Sequence, residues 1–224
     1  KILDGSLDLA YFRTARDMIR LPLALLSLVV LAACAAPKDA QVGAYGIYDP
    51  FEAQNRKVHA FNRSLDRSVV RPVGRSYAAI VPDPIEDSVS RFADNLSEPG
   101  NTVNALLQGN IKGAGQSAGR FLTNTVFGLG GLFDAASSFG IPDTDTDFGE
   151  TLMVWGVGEG AYVELPLLGP STQRDAAGRA VDFFTNPLSY HLPDPGRNYT
   201  TAARVGALLS SRGRYSDTID SVLY

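Results

Sequence analysis

The chain has 224 residues, a formal net charge of −4 and a single cysteine. One cysteine excludes an intramolecular disulfide, and the acidic balance argues against nucleic acid, whose binding rests on phosphate neutralisation by Lys and Arg. Without the first 33 residues, which hold four basic and three acidic side chains, the balance becomes −5, which also argues against a polybasic membrane patch.

Leu21 to Ala33 is an apolar run. As a helix rising about 1.5 Å per residue it would reach roughly 20 Å. That is short of the roughly 30 Å of a bilayer core, but it suits the apolar stretch of a signal peptide. Arg20 supplies a positive flank, and Leu31-Ala32-Ala33-Cys34 has the form of a lipobox. A buried helix with an inert thiol is the competing reading. It does not require a basic flank, a small-residue end and a polar follow-on together. Residues 1–33 are therefore expected to be a leader region, with the signal peptide at 18–33. Cys34 is expected to carry a diacylglycerol and an N-acyl chain, and 34–47 to be a lipidated linker. Asp4, Asp8 and Asp17 do not suit a leader, whereas Met18-Ile19-Arg20 is an ordinary start, so translation is expected to begin at Met18.

Order is expected from residue 48 to residue 224 as one mostly α-helical domain. Asp49-Pro50-Phe51-Glu52 reads as a capping box. Phe51, Val58, Phe61 and Leu65 then share one helical face, and the helix should stop near Arg71-Pro72. A short helix from Pro72 to about Val81 follows. Asp83-Pro84-Ile85-Glu86 repeats the start signal, with Ile85, Val89, Phe92 and Leu96 as its stripe. Glu98-Pro99 opens another helix, with Val103, Leu106 and Leu107 on its apolar face and Gly109 as its C-cap.

From Ile111 to Val126 a broad apolar face is expected, formed by Ile111, Ala114, Ala118, Phe121, Leu122, Thr125 and Val126. Gly115 and Gly119 lie one turn apart and would admit a second helix closely. Val126, Phe127, Leu129, Leu132 and Phe133, interleaved with Gly128, Gly130 and Gly131, make a poor continuous helix. They read as a flexible apolar turn. It either packs inside a helical hairpin or meets lipid at a channel. An acidic loop follows from Asp143 to Asp147. Gly156–Gly160 leads into Ala161–Pro166, the one segment expected to be a strand. Helices are expected again at 172–185 and 198–209. No repeat of solenoid period and no second domain is evident.

No catalytic constellation emerges. His59 reads as a helix-surface or packing residue, and His191 lies in a loop without a Cys or an acidic pair nearby. There is no nucleophile elbow and no metal-ligand spacing. Asp143, Asp145 and Asp147 alternate as calcium loops do, but Phe148 and Val154 stand where Gly and Glu would be needed, so a solvated loop is expected. Gly128, Gly130 and Gly131 do not form a dinucleotide fingerprint, because Phe133 holds its last position.

In chain order, several motifs resemble the MlaA (VacJ) family of outer-membrane lipoproteins. They are Asp49-Pro50-Phe51-Glu52 with Asn55-Arg56, Val70-Arg71-Pro72-Val73, Asn95-Leu96 with Glu98-Pro99, and Leu107-Gln108-Gly109. Arg120-Phe121 with Asn124-Thr125, Gly128 to Asp134, Asp147 to Leu152, Gly156 to Tyr162 and Leu165 to Asp175 follow. Each is weak alone; the ordered set is specific. The resemblance implies a ring-like, mostly helical, membrane-embedded domain with one short strand or hairpin segment and an amphipathic channel. It implies no enzyme activity and no cofactor beyond the lipid on Cys34. The implied partners are phospholipid, an outer-membrane porin trimer and a soluble periplasmic lipid-binding carrier, in a pathway ending at an ATP-driven inner-membrane transporter. Such a protein removes mislocalised phospholipid from the outer leaflet, anchored on the periplasmic side of a Gram-negative outer membrane. Ala35 lacks the acidic character that favours inner-membrane retention. A lipid-anchored scaffold on a porin and an envelope hydrolase are the other classes. The family usually continues with a further helix and basic tail where this sequence stops at Val222-Leu223-Tyr224, so a C-terminal truncation is expected.

Overall fold

The computed structural model describes residues 47–185, 188 and 196–224. The leader at 1–33, Cys34, the linker up to residue 46 and His191 lie outside them. The first helix of the described residues, α1 (Glu52–Leu65), runs through a π-helical turn (Asp66–Val70) into α2 (Arg71–Ile80). The expected stop at Arg71-Pro72 is thus corrected. The Arg71 N–H reaches back five residues to the Asp66 carbonyl, and the widened turn seats Pro72 in the first turn of α2, where its missing donor costs nothing. The capping boxes also resolve differently. Asp49 accepts from the Phe51 N–H (3.1 Å) and from Asn55 Nδ2 (2.7 Å), while Glu52 pairs with Arg56 (2.7 Å). In α3 (Asp83–Asn95), Glu86 turns inward to Ser210 (2.8 Å) and Arg214 (3.1 Å).

α4 (Glu98–Leu107) ends as expected, with Gly109 at φ +74. α5 (Ile111–Val126) is capped by Asn110, whose side chain accepts from Gly113. α6 (Ala135–Ser138) and α7 (Phe148–Val154) are capped in the same way by Asp134 and Asp147, each satisfying a helix donor that would otherwise lack a partner. A hairpin follows. β1 (Tyr162–Leu165) pairs antiparallel with β2 (Gly169–Thr172), Tyr162 opposite Thr172. This is the short strand or hairpin segment expected, with β2 lying beyond the strand read at Ala161–Pro166. The Gly-Pro-Ser-Thr sequence of β2 has no apolar alternation, and its proline is tolerated because a two-stranded sheet is all edge. α8 (Gln173–Thr185) and α9 (Gly196–Arg214) come next, α9 running past the expected end at residue 209. α10 (Ser216–Leu223) completes the described chain.

Helix contacts run in a closed circuit. α9 packs on α2 and α3; α3 touches α5, which lies along α4; α4 touches α7, α7 packs on α8, α8 meets both strands, and β1 returns to α1. The π-helical turn joins α1 to α2. The crossing of α2 and α9 is so close that a Cβ on Gly213 would collide with the Gly74 carbonyl. Gly115, expected to admit a helix, has open space beside it, and Gly119 meets only the tip of Ile141.

Burial is inverted relative to a water-soluble bundle. The compact apolar cluster is small: Phe148, Leu152 and Ala177, flanked by Val157 and Val181. The largest side chains buried to near completion are polar, namely Glu86 (1% exposed), Thr151 and Ser117. The apolar stripes face outward instead. On α5 the buried face is Gly113, Ala114, Ser117, Arg120 and Asn124, while Ile111, Leu122 and Val126 are exposed. Among the described residues, no helix is long and apolar enough to cross a membrane.

Candidate functional site

The polar interior is organised by Arg120, whose side chain is 9% exposed. Its Nε donates to Glu98 Oε1 (2.9 Å), Nη1 to the Ile141 carbonyl (2.9 Å) and Nη2 to Asp134 Oδ1 (3.3 Å). Asp143 stands 3.6 Å away. The fixed fork of a guanidinium suits three acceptors arriving from three segments. Burial raises the Glu98 carboxyl above its ordinary value despite the Arg120 hydrogen bond. Asp134 is held below its ordinary value: partial burial opposes this, but hydrogen bonds from Ser137 and the charge of Arg120 outweigh it.

These groups line a cavity of about 340 Å³ between α3, α4, α5 and the segments after α5. Its wall holds five carboxylates (Asp94, Glu98, Asp134, Asp143, Asp145) against two guanidiniums (Arg91, Arg120). Asp143 and Asp145 therefore belong to this wall, where a merely solvated loop was expected. Asp147 is a helix cap, and Asp145 accepts from Asn101 (3.3 Å). Desolvation, then the charges of Asp143 and Asp145, raise the Asp94 carboxyl.

The apolar turn is joined to the cavity wall through Asn95, whose Nδ2 donates to the Gly130 carbonyl (3.2 Å). Val126, Phe127, Leu129, Leu132 and Phe133 are all exposed, Phe127 and Leu129 at 69%. The backbone beneath them is closely tied. Gly130 N–H donates to Thr125 O (3.0 Å), and Gly131 N–H and Phe133 N–H both donate to Gly128 O (3.1 and 3.0 Å). A Cβ on Gly128 would collide with the Phe133 carbonyl, and one on Gly131 would come within 2.6 Å of Asn95. Close approach thus accounts for Gly128 and Gly131, while Gly130 sits in open space at φ +77. Leu129 itself adopts φ +51, a conformation uncommon outside glycine.

His59 reaches Glu164 Oε1 (3.2 Å), and Tyr162 donates to Glu164 Oε2 (2.5 Å). Burial, then Glu164, push the Tyr162 phenol up to about 12. Nothing nucleophilic joins this cluster among the hydrogen-bond partners described. The role of the Arg120 cluster had no local signal. Glu98, Arg120 and Asp134 are separated by 22 and 14 positions, and nothing in their local sequence marks them as partners.

A family model described as MlaA lipoprotein matches residues 47–223. This chain belongs to the MlaA lipoprotein family. A Rickettsia felis protein is 40% identical over 150 residues, covering 66% of this chain and 60% of the relative. The Escherichia coli MlaA lipoprotein, described as part of an intermembrane phospholipid transport system, is 38% identical over 176 residues, covering 77% of this chain and 69% of that one. A solved structure described as "Structural basis for maintenance of bacterial outer membrane lipid asymmetry" aligns with a TM-score of 0.65 at 34% identity, over 76% of this chain and 85% of that chain. The mostly helical MlaA fold with its hairpin is the one seen here. The chain spans about 60% of the length of the Rickettsia relatives it matches.

Proposed function

We propose that this MlaA-family protein takes mislocalised phospholipid from the outer leaflet of a Gram-negative outer membrane and passes it to a soluble periplasmic carrier. The inverted burial carries the reading: apolar side chains outside, polar ones within. Helices too short or too polar to span a bilayer can still seat in one when their apolar faces meet lipid and their polar faces meet one another. A closed circuit of such helices offers the tails an apolar surface and the head group a wetted path. No covalent chemistry is required, and the protein acts without being an enzyme. The Cys34 lipid would supply the anchor on the periplasmic side, and an outer-membrane porin trimer would supply the lateral partner.

Val126, Phe127, Leu129, Leu132 and Phe133 are the side chains proposed to contact lipid, on a turn whose backbone is tied beneath them and whose apolar side chains stand exposed. Replacing Leu129 and Leu132 by Asp tests this, because both point away from the packed interior. The double variant should fold with an unchanged melting profile and fail to clear outer-leaflet phospholipid. Normal clearance would remove the turn from the lipid path. Normal porin association without clearance by the unaltered chain would favour a scaffold instead.

A further inference from the structure

We propose that the cavity beside Arg120 binds a primary ammonium, supplied by an ethanolamine phospholipid head group as it passes through the protein. This rests on the lipid-transport reading and adds a head-group preference to it.

Two oxygens on the cavity wall lack a hydrogen-bond partner despite full burial: Glu98 Oε2 and Asn95 Oδ1. Glu98 is 4% exposed and Asn95 3%. The Asn95 amide cannot simply be turned round, because its Nδ2 donates to the Gly130 carbonyl (3.2 Å) and to Thr125 Oγ1 (3.2 Å). A carbonyl accepts only, so the orientation is fixed and Oδ1 remains an acceptor. Ser117 also reaches Glu98, but its hydroxyl is shared with the Thr144 carbonyl (3.3 Å) and the Thr144 hydroxyl (2.9 Å). Leaving buried acceptors unmade is costly, so the site is built for a donor.

The wall's charge says which donor. Five carboxylates oppose two guanidiniums, and Arg120 is committed to Glu98, Asp134 and Asp143. A cation is therefore attracted, and an isolated phosphate or a quaternary amine that cannot donate is disfavoured. A dehydrated divalent metal needs several oxygens converging at about 2.0–2.6 Å, and the described residues contain no such group. The cavity's 340 Å³ is many times the roughly 30 Å³ share of one water, so an organic cation fits. A primary ammonium has three donors for the two orphan acceptors and one carboxylate. Exposed Arg91 on the same wall is the group the adjoining phosphate would meet.

The test uses the full chain in detergent micelles, titrated with short-chain phosphatidylethanolamine, phosphatidylglycerol and phosphatidylcholine, and with free ethanolamine as competitor. The unaltered chain should favour phosphatidylethanolamine over the other two by about tenfold, equivalent to about 1.4 kcal/mol. In D94N/D143N/D145N the preference should fall below about threefold while the melting profile stays unchanged, which reports that the variant is folded. D94N alone should move the preference in the same direction. Equal binding of the three lipids by the unaltered chain, or a preference that survives the triple substitution, overturns the proposal. Binding of ethanolamine without any preference among lipids supports the ammonium site and overturns its lipid source. No binding of any lipid overturns the transport reading and this inference with it.

Discussion

Replacing Arg120 by Met removes the one cation that ties α4, α5 and the segment after α6 together. The Glu98 side chain is 5% exposed, Asp134 29% and Asp143 71%. The last two can turn to water, but Glu98 cannot. Breaking a buried pair by removing one partner costs about 3–5 kcal/mol, because the other charge is stranded. The lower half of that range applies here, since Glu98 already carries a raised pKa and can take a proton. Urea denaturation in mild detergent, followed by tryptophan fluorescence, would read the loss as an unfolding constant raised by roughly two to three orders of magnitude. The double variant E98L/R120M removes both charges and should recover most of the loss, as replacement of buried pairs by apolar side chains often does. A loss below about 1 kcal/mol, the range of an exposed pair, would refute the claim that this network organises the interior.

Three further outcomes follow from single positions. Gly178→Ala should destabilise by about 1–3 kcal/mol, because its Cβ would collide with the Gly149 backbone where α8 crosses α7; Gly115→Ala, beside open space, should be neutral or gain up to about 1 kcal/mol, and denaturation midpoints separate the two. Asp66 is held below the ordinary carboxylate value of about 3.8, chiefly by its Arg212 hydrogen bonds (2.7 Å each). A depressed carboxyl stabilises above its unfolded pKa and loses that contribution as pH falls through its folded one. The stability gap between the unaltered chain and Asp66→Asn should therefore shrink below about pH 3.8; a gap independent of pH would contradict the assignment. Cys34→Ala should abolish acylation, visible as the loss of the lipid mass from the intact protein.

Periodicity in the sequence located most helices because a stripe such as Ile85, Val89, Phe92 and Leu96 marks an amphipathic surface. It does not say what the apolar side meets. In that stripe Leu96 is buried and Ile85 is 54% exposed, and on α5 the stripe and the buried face are largely opposed. The capping readings erred where a carboxylate had a stronger partner elsewhere: Glu52 takes Arg56 one turn on, and Glu86 is drawn to Ser210 and Arg214 on α9, which no local pattern could show. Pro72 suggested a break because the rule for the preceding residue assumes regular α geometry, and a π-helical turn evades it. The Arg120 site unites residues separated by 22 and 14 positions, so only tertiary packing reveals it. The apolar turn was legible, since its composition contradicts both a regular helix and an exposed polar loop.

The transport reading is tested most directly by the phospholipid content of the outer leaflet in cells lacking this gene, with and without a plasmid-borne copy. The expected result is a rise in outer-leaflet phospholipid on deletion that the copy reverses. An outer leaflet unchanged by deletion would contradict it.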